Sequence, residues 1–242
     1  NLLDTSHGGR SGCIGDVQHC RCQIDRVTEL VAHFATRLES RWPMHDQRIA
    51  HAAAVLDGVT VSNGYISSGY GAGINMAGGL VRNCNIVQNA NAYGQGGGLY
   101  MNGGSLLSSV VRGNLCLGND AGGLYGRGAG VALAGGALAS NCAIVANTQG
   151  DTSYNDNSYG AGAYLSGSSR LIFSTVIGNP AMSHPRISGG GVYIADAGSS
   201  VENCLIMSNS CTPVAVSDQA NQGGAGVNMQ GGEAPAPRKP PA

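Results

Sequence analysis

Lysine is almost missing from this 242-residue chain, Lys239 being the only one, and the formal net charge is −1. A surface so poor in cations has no electrostatic means of holding a nucleic acid or an anionic membrane, so neither is an expected partner. Long hydrophobic runs are also missing. Nothing approaches the ~18 consecutive apolar residues of a membrane span, so no transmembrane segment is expected. The opening "NLLDTSHGGR" has neither an initiator methionine nor the pattern of a signal peptide. It reads as a processed chain or a piece of a longer one.

Charge is scarce and unevenly spread. Residues 1–49 hold twelve of the charged side chains, and the remaining 193 residues hold fifteen. Glycine runs the other way, with four in the first segment and thirty-six afterwards, without the every-third-residue spacing of collagen. A boundary near residue 50 follows.

Beyond it the glycine is periodic. Gly-x-Gly followed by apolar-x-apolar occurs as "GAGINM" from Gly71, "GGGLYM" from Gly96, "GAGVAL" from Gly128, "GAGAYL" from Gly160, "GGGVYI" from Gly189 and "GAGVNM" from Gly224. A second element follows each of the first five: "NCNIVQN" ending at Asn89, "SSVVRGN" at Asn114, "NCAIVAN" at Asn147, "FSTVIGN" at Asn179 and "NCLIMSN" at Asn209. Both alternate with period two, which marks strands. In the first element Ile74/Met76, Leu99/Met101, Val131/Leu133, Ala163/Leu165, Val192/Ile194 and Val227/Met229 face inward. In the second, Cys84/Ile86, Ser109/Val111, Cys142/Ile144, Ser174/Val176 and Cys204/Ile206 do so. Val81, Leu106, Ala139, Leu171 and Val201 lie three residues ahead of these pairs, and that odd spacing requires a turn between.

Short strands cornered by glycine and repeated every 25–35 residues describe the coils of a parallel β-helix. One coil cannot bury its inward face alone; coils stacked ~4.8 Å apart can. Asparagine tolerates left-handed backbone and bonds its neighbours, so Asn89, Asn114, Asn147, Asn179 and Asn209 are expected to form a ladder at one corner. A helical repeat is excluded by recurrent glycine, which costs about 1 kcal/mol per helix-interior site. A flexible linker would not hold apolar pairs in register.

The glycine motifs and the apolar-x-x-Asn motif resemble the GGA[ILV] and FxxN repeats of polymorphic outer-membrane proteins. More broadly they resemble right-handed β-helix proteins of the pectin-lyase-like superfamily, including autotransporter passengers. "LDGVTVSNGY", Leu56 to Tyr65, is similar to the opening coil of bacterial surface β-helix proteins. The resemblance covers about residues 50–230, with Ile or Val standing for Phe, and these residues do not include that family's C-terminal β-barrel. It implies an all-β, right-handed solenoid of about six coils, extracellular or at the cell surface.

The flanks read differently. Over 25–42, Val27, Leu30, Val31, Phe34 and Leu38 share one helical face, with Asp25 as N-cap and Pro43 as stop. Residues 1–49 are thus expected to supply a helix capping the first coil, while a separate partner-binding helix stays open as an alternative. Residues 231–242 hold four prolines in their last eight and read as an extended tail.

Little in the chain points to chemistry. Cys84, Cys142 and Cys204 share one column and Cys116 and Cys211 another, but the nearest are two coils apart, ~9.6 Å, beyond the ~7 Å Cα limit of a disulfide. Free structural thiols are expected. "HCRC", with Cys13 and His7, matches no common zinc spacing, so no metal or cofactor is assigned. Asp151, Asn155, Asp156 and Asn157 lie in a polar loop at 148–160 without the EF-hand order.

Pectin-lyase-like folds carry lyases and hydrolases, which need paired carboxylates or a base beside them. Here Asp57, Asp120, Asp151, Asp156, Asp196, Glu202 and Asp218 occupy different motif positions, and Arg82, Arg112, Arg127, Arg170 and Arg186 share no column. No catalytic residue is assigned. The leading reading is a non-enzymatic surface-exposed or secreted module, a stalk or adhesin, with a polysaccharide lyase or glycoside hydrolase as the alternative. Tyr100, Tyr164 and Tyr193 fall on the outward strand face, Tyr164 and Tyr193 on adjacent coils. An aromatic strip of that kind stacks on sugar rings, so a polysaccharide or a cell-surface component is the expected partner, although aromatics also favour strands for packing alone.

Overall fold

The computed structural model describes residues 37–38, 48–49, 54–118, 126–150, 157–182, 186–212 and 223–230. Among these residues there is no helix, and every strand pairs in parallel with its equivalent one repeat away. The described residues form an all-β parallel solenoid.

One repeat shows how the wall is laid. Gly94–Gln95 is followed by Leu99–Asn102, Ser105–Leu107, Val110–Arg112 and Leu115–Cys116. We number the sheets these strands join, in that order, V, I, II, III and IV. Sheets I and III have seven strands each, II and IV six. Sheet V is carried by paired strands at Gly69–Tyr70/Gly94–Gln95 and Asn157–Tyr159/Arg186–Ser188, linked through single bridges at Arg127.

The expected columns form. Val61, Ile86, Val111, Ile144, Val176 and Ile206 are directly in register. So are Ile74, Leu99, Val131, Ala163, Val192 and Val227. Interior members of both files are fully buried in one continuous core. The turn demanded between sheets II and III is left-handed at Asn83, Ser108, Asn141, Phe173 and Asn203, with φ between 46° and 54°. The residue after it reaches back across the turn: Ser109 Oγ donates to the Leu107 carbonyl (2.7 Å) and Ser174 Oγ to that of Ile172 (2.8 Å). A small side chain with one polar atom is what this position needs, hence the alternation of Cys and Ser.

Phe173 is the outlier of that corner. It holds φ +49° while the residue is 61% exposed, so left-handed strain is not offset by burial. Phe173→Asn, the residue found at three equivalent positions, is expected to raise the urea midpoint, by about 1 kcal/mol in stability. An unchanged or lower midpoint would contradict this account of the corner.

The asparagine ladder is present, but its backbone basis differs from expectation. Asn89 donates through Nδ2 to Asn114 Oδ1 (2.9 Å), Asn114 to Asn147 (2.9 Å), Asn147 to Asn179 (3.0 Å) and Asn179 to Asn209 (2.8 Å). Each backbone N–H in the series donates to the same oxygen, at 2.9–3.0 Å. None of these asparagines has positive φ. The left-handed residue is the one before: Gln88, Gly113, Ala146, Gly178 or Ser208. The corner is turned one residue early so that the asparagine can point inward, where Asn89, Asn114, Asn147 and Asn179 are buried.

At the N-terminal end Arg37–Leu38 pairs with Thr60–Val61 and Arg48–Ile49 with Asn75–Met76. The helix expected over 25–42 therefore does not run through Arg37 and Leu38. The unpaired edge of the first coil offers these residues backbone partners that a helix would leave unused. The rest of that expected cap and the 231–242 tail lie outside the described residues.

Candidate functional site

Residues on sheet I that alternate away from the core are Asn75, Tyr100, Ala132, Tyr164, Tyr193 and Asn228, in one file. Immediately before each glycine corner, sheet V contributes a second file: Tyr70, Gln95, Arg127, Tyr159, Ser188 and Gly223. Side chains leaving a convex corner diverge. Here they meet, each across to the next coil. The Tyr70 and Tyr100 rings lie 4.5 Å apart, the Arg127 guanidinium sits 5.2 Å from the Tyr164 ring, and Tyr159 lies 4.5 Å from Tyr193. The two files meet along a seam at this corner, which we call the groove.

The glycines make this corner. The first of each triplet has φ between 46° and 73° and no room for a Cβ, which would meet the carbonyl three residues on.

Outward direction does not give exposure here. Tyr164 and Tyr193 stack with centroids 5.7 Å apart and planes 5° from parallel, and only 7% and 3% of their surfaces reach solvent. Arg127 on one side and Tyr159 on the other close over them, an arrangement that aromatic quadrupoles favour. Burial pushes all three sheet I tyrosine hydroxyls above their ordinary pKa, although Arg127 opposes the shift. They stay neutral. The sequence-expected strip is thus split: Tyr164 and Tyr193 fill the groove, whereas Tyr100 is half-buried and its partner Tyr70 is 49% exposed. Tyr70, Arg127 and Tyr159 were not singled out as groove residues from the sequence. Their signal is position, since each stands directly before the first glycine of a triplet.

Described charged groups elsewhere tie coils together. Asp57 accepts from Arg82 (2.8 Å) and from Asn83 (2.8 Å), and Arg170 donates to both oxygens of Glu202 (3.1 Å). Desolvation acts to raise the Asp196 carboxyl, but the N–H groups of Gly167, Ser199 and Gly198 outweigh it and hold the group below the usual range. Glu202 is held low by Ser200 and Arg170.

The described cysteines, Cys84, Cys116, Cys142, Cys204 and Cys211, form no disulfide. Register confirms the column Cys116–Gln149–Ala181–Cys211. Burial pushes the Cys116 thiol up to about 12 and that of Cys142 to about 11, so these are poor nucleophiles at neutral pH. Among the described residues no three His, Cys, Asp or Glu side chains gather as a metal site, and no helix is long and apolar enough to cross a membrane. Cys13, Cys20, Cys22, Asp120, Asp151, Asp156 and Asp218 lie outside the described residues.

No protein-family model, no curated protein and no solved structure matches this chain.

Proposed function

We propose that the chain is a non-enzymatic, surface-exposed or secreted β-helix module, a stalk or adhesin that contacts glycan through the open part of its aromatic groove. In this reading the solenoid is right-handed, has about six coils and belongs with the pectin-lyase-like proteins. The sequence resemblance supports that placement and the extracellular location. The observation that carries the function is the unequal filling of the groove. At its C-terminal end the protein's own rings and Arg127 occupy each other's faces, whereas the Tyr70–Tyr100 pair leaves ring surface to solvent. Two adjacent tyrosines, with Gln95 and Asn75 in the same two files, offer a pyranose both an apolar platform and hydrogen-bonding groups. The described carboxylates are bound into inter-coil contacts, which favours a scaffold over a lyase or hydrolase.

The test is retention on a panel of immobilised polysaccharides. Tyr70→Ala/Tyr100→Ala is expected to weaken binding at least tenfold with an unchanged circular dichroism spectrum, while wild-type protein releases no reducing ends. Equal retention of the double variant would sink the site. Cleavage of an acidic polysaccharide would sink the non-enzymatic reading.

A further inference from the structure

Two pairs of rings cross from sheet V to sheet I with nearly the same geometry. Tyr70 and Tyr100 have centroids 4.5 Å apart and planes tilted by 41°, while Tyr159 and Tyr193 have 4.5 Å and 43°. In each pair the sheet V ring meets the sheet I ring of the coil that follows. The pairs differ in access. Tyr70 is 49% exposed and Tyr100 is half-buried, whereas Tyr193 is 3% exposed and stacked on Tyr164. One pair is open to a reagent in solution and the other is shut.

Phenol rings held in contact can undergo a reaction that a lone tyrosine cannot. A one-electron oxidant takes an electron and a proton from each hydroxyl and leaves two phenoxyl radicals. Their unpaired electrons form a C–C bond between ortho carbons. Each of those carbons then gives up its hydrogen as a proton, while its phenolic oxygen takes one up. The pair loses two hydrogen atoms in all, and those two electrons and two protons reduce one hydrogen peroxide to two waters. Radical coupling is otherwise bimolecular, so a fixed contact accelerates it by supplying the partner in place. Ring centres in the coupled product are two ring radii and one C–C bond apart. That is close to the separation already present, so the rings must reorient but the coils need not shift.

We propose that Tyr70 and Tyr100 form an oxidative cross-linking site, joined as dityrosine by hydrogen peroxide acting through a haem peroxidase. The bond ties the coil that ends in Tyr70 to the next one. That coil takes least from the asparagine ladder, because its residue at the asparagine position is Gly64, which donates its backbone N–H to Asn89 and has no side chain to add. The bond also closes the chain between positions 70 and 100, so it restricts the unfolded state as a disulfide does. The inference uses the ring contact and no sugar, and it is independent of glycan binding.

The test is to treat the folded full chain with a haem peroxidase and hydrogen peroxide, then digest it at arginine and lysine. Residues 49–82 are expected to emerge joined to residues 83–112, lighter than their sum by two hydrogen atoms, with fragmentation placing the bond at Tyr70 and Tyr100. The oxidised protein should run as a monomer on a denaturing gel and unfold at higher urea than the untreated chain. Tyr70→Phe and Tyr100→Phe keep a ring in place but remove the hydroxyl, and each is expected to lower the yield of this link about tenfold. Tyr159→Phe is expected to leave it unchanged, and oxidation of the urea-unfolded chain should show no preference for this pair. The proposal is overturned if the link does not form or survives either variant. A link between residues 128–170 and 187–238 of equal yield would also overturn it, since the closed Tyr159–Tyr193 pair would then react as readily. So would covalent dimers as the main product, because coupling would then run between molecules through exposed rings such as Tyr65. An unchanged urea midpoint would remove the bond's role in holding the coils.

Discussion

Replacing Gly130 with alanine is expected to destabilise the protein by about 3 kcal/mol, seen as a large drop in the urea midpoint of the circular dichroism signal. Backbone conformation is not the cause, because φ at Gly130 is not in the left-handed region. Space is. A Cβ there would lie 2.5 Å from the Gly162 carbonyl oxygen, 2.8 Å from Asn147 Nδ2 and 2.8 Å from Ile144 Cγ2. The carbonyl belongs to the next coil and cannot retreat without breaking the ladder, and the amide nitrogen belongs to the asparagine file. The same contacts recur at the third glycine of the other interior triplets, where Gly73 faces Asn89, Gly98 faces Asn114, Gly162 faces Asn179 and Gly191 faces Asn209. Gly226, whose coil contributes no asparagine to the ladder among the described residues, would meet nothing within 4 Å. Gly226→Ala is therefore the matched control and is expected to stay within about 0.5 kcal/mol of wild type. Equal effects at the two positions would refute the steric account.

Asn147→Leu is expected to have the largest effect of any single substitution outside the glycines, on the order of 4 kcal/mol. Leucine keeps much of the volume, so the loss measures hydrogen bonding. Asn147 Oδ1 accepts from the backbone N–H of Asn114 (3.0 Å) and from its Nδ2 (2.9 Å), while its own Nδ2 donates to the Val111 carbonyl (3.0 Å) and to Asn179 Oδ1 (3.0 Å). Removing the amide strands the Asn114 donors and the Val111 acceptor in a site with no exposed surface, at about 1–3 kcal/mol for each buried group. Asn209→Leu removes the same kind of acceptor at a half-buried edge, where water replaces it, and is expected to cost less than half as much. Similar losses at both sites, read from urea titrations, would show that the amides fill space and do not serve as a ladder. The pair Gly130→Ala and Asn147→Leu also touches one contact, so the double variant should be non-additive.

That contact explains why two sequence motifs keep one beat. The asparagine side chain enters the corner only where the glycine triplet earlier in its own coil leaves it open, so neither motif is usable without the other. From the sequence the two looked like independent markers of a period. Their inward residues were readable because alternation in a strand is a local property, and Ile86 or Leu99 needs only its neighbours to declare which way it points. The left-handed residue was assigned one position late, since asparagine at a corner suggests its own backbone preference and hides a side-chain role. In the groove, Tyr164 and Tyr193 were placed on the outward strand face, with a sugar-stacking surface and packing alone both open from the sequence; their burial comes from Arg127 and Tyr159 on a different sheet, which spacing within one strand does not show.

The sequence by itself determined the coil: its period, its inward columns, the parallel stacking of equivalent strands and the absence of disulfides among the described cysteines. These depend on spacing along the chain, which periodicity records. Only the tertiary structure decided which tyrosines meet across the corner between sheets V and I and how far each is covered. Those follow from the angle between sheets and from contacts one coil away. No pattern confined to a single repeat encodes either.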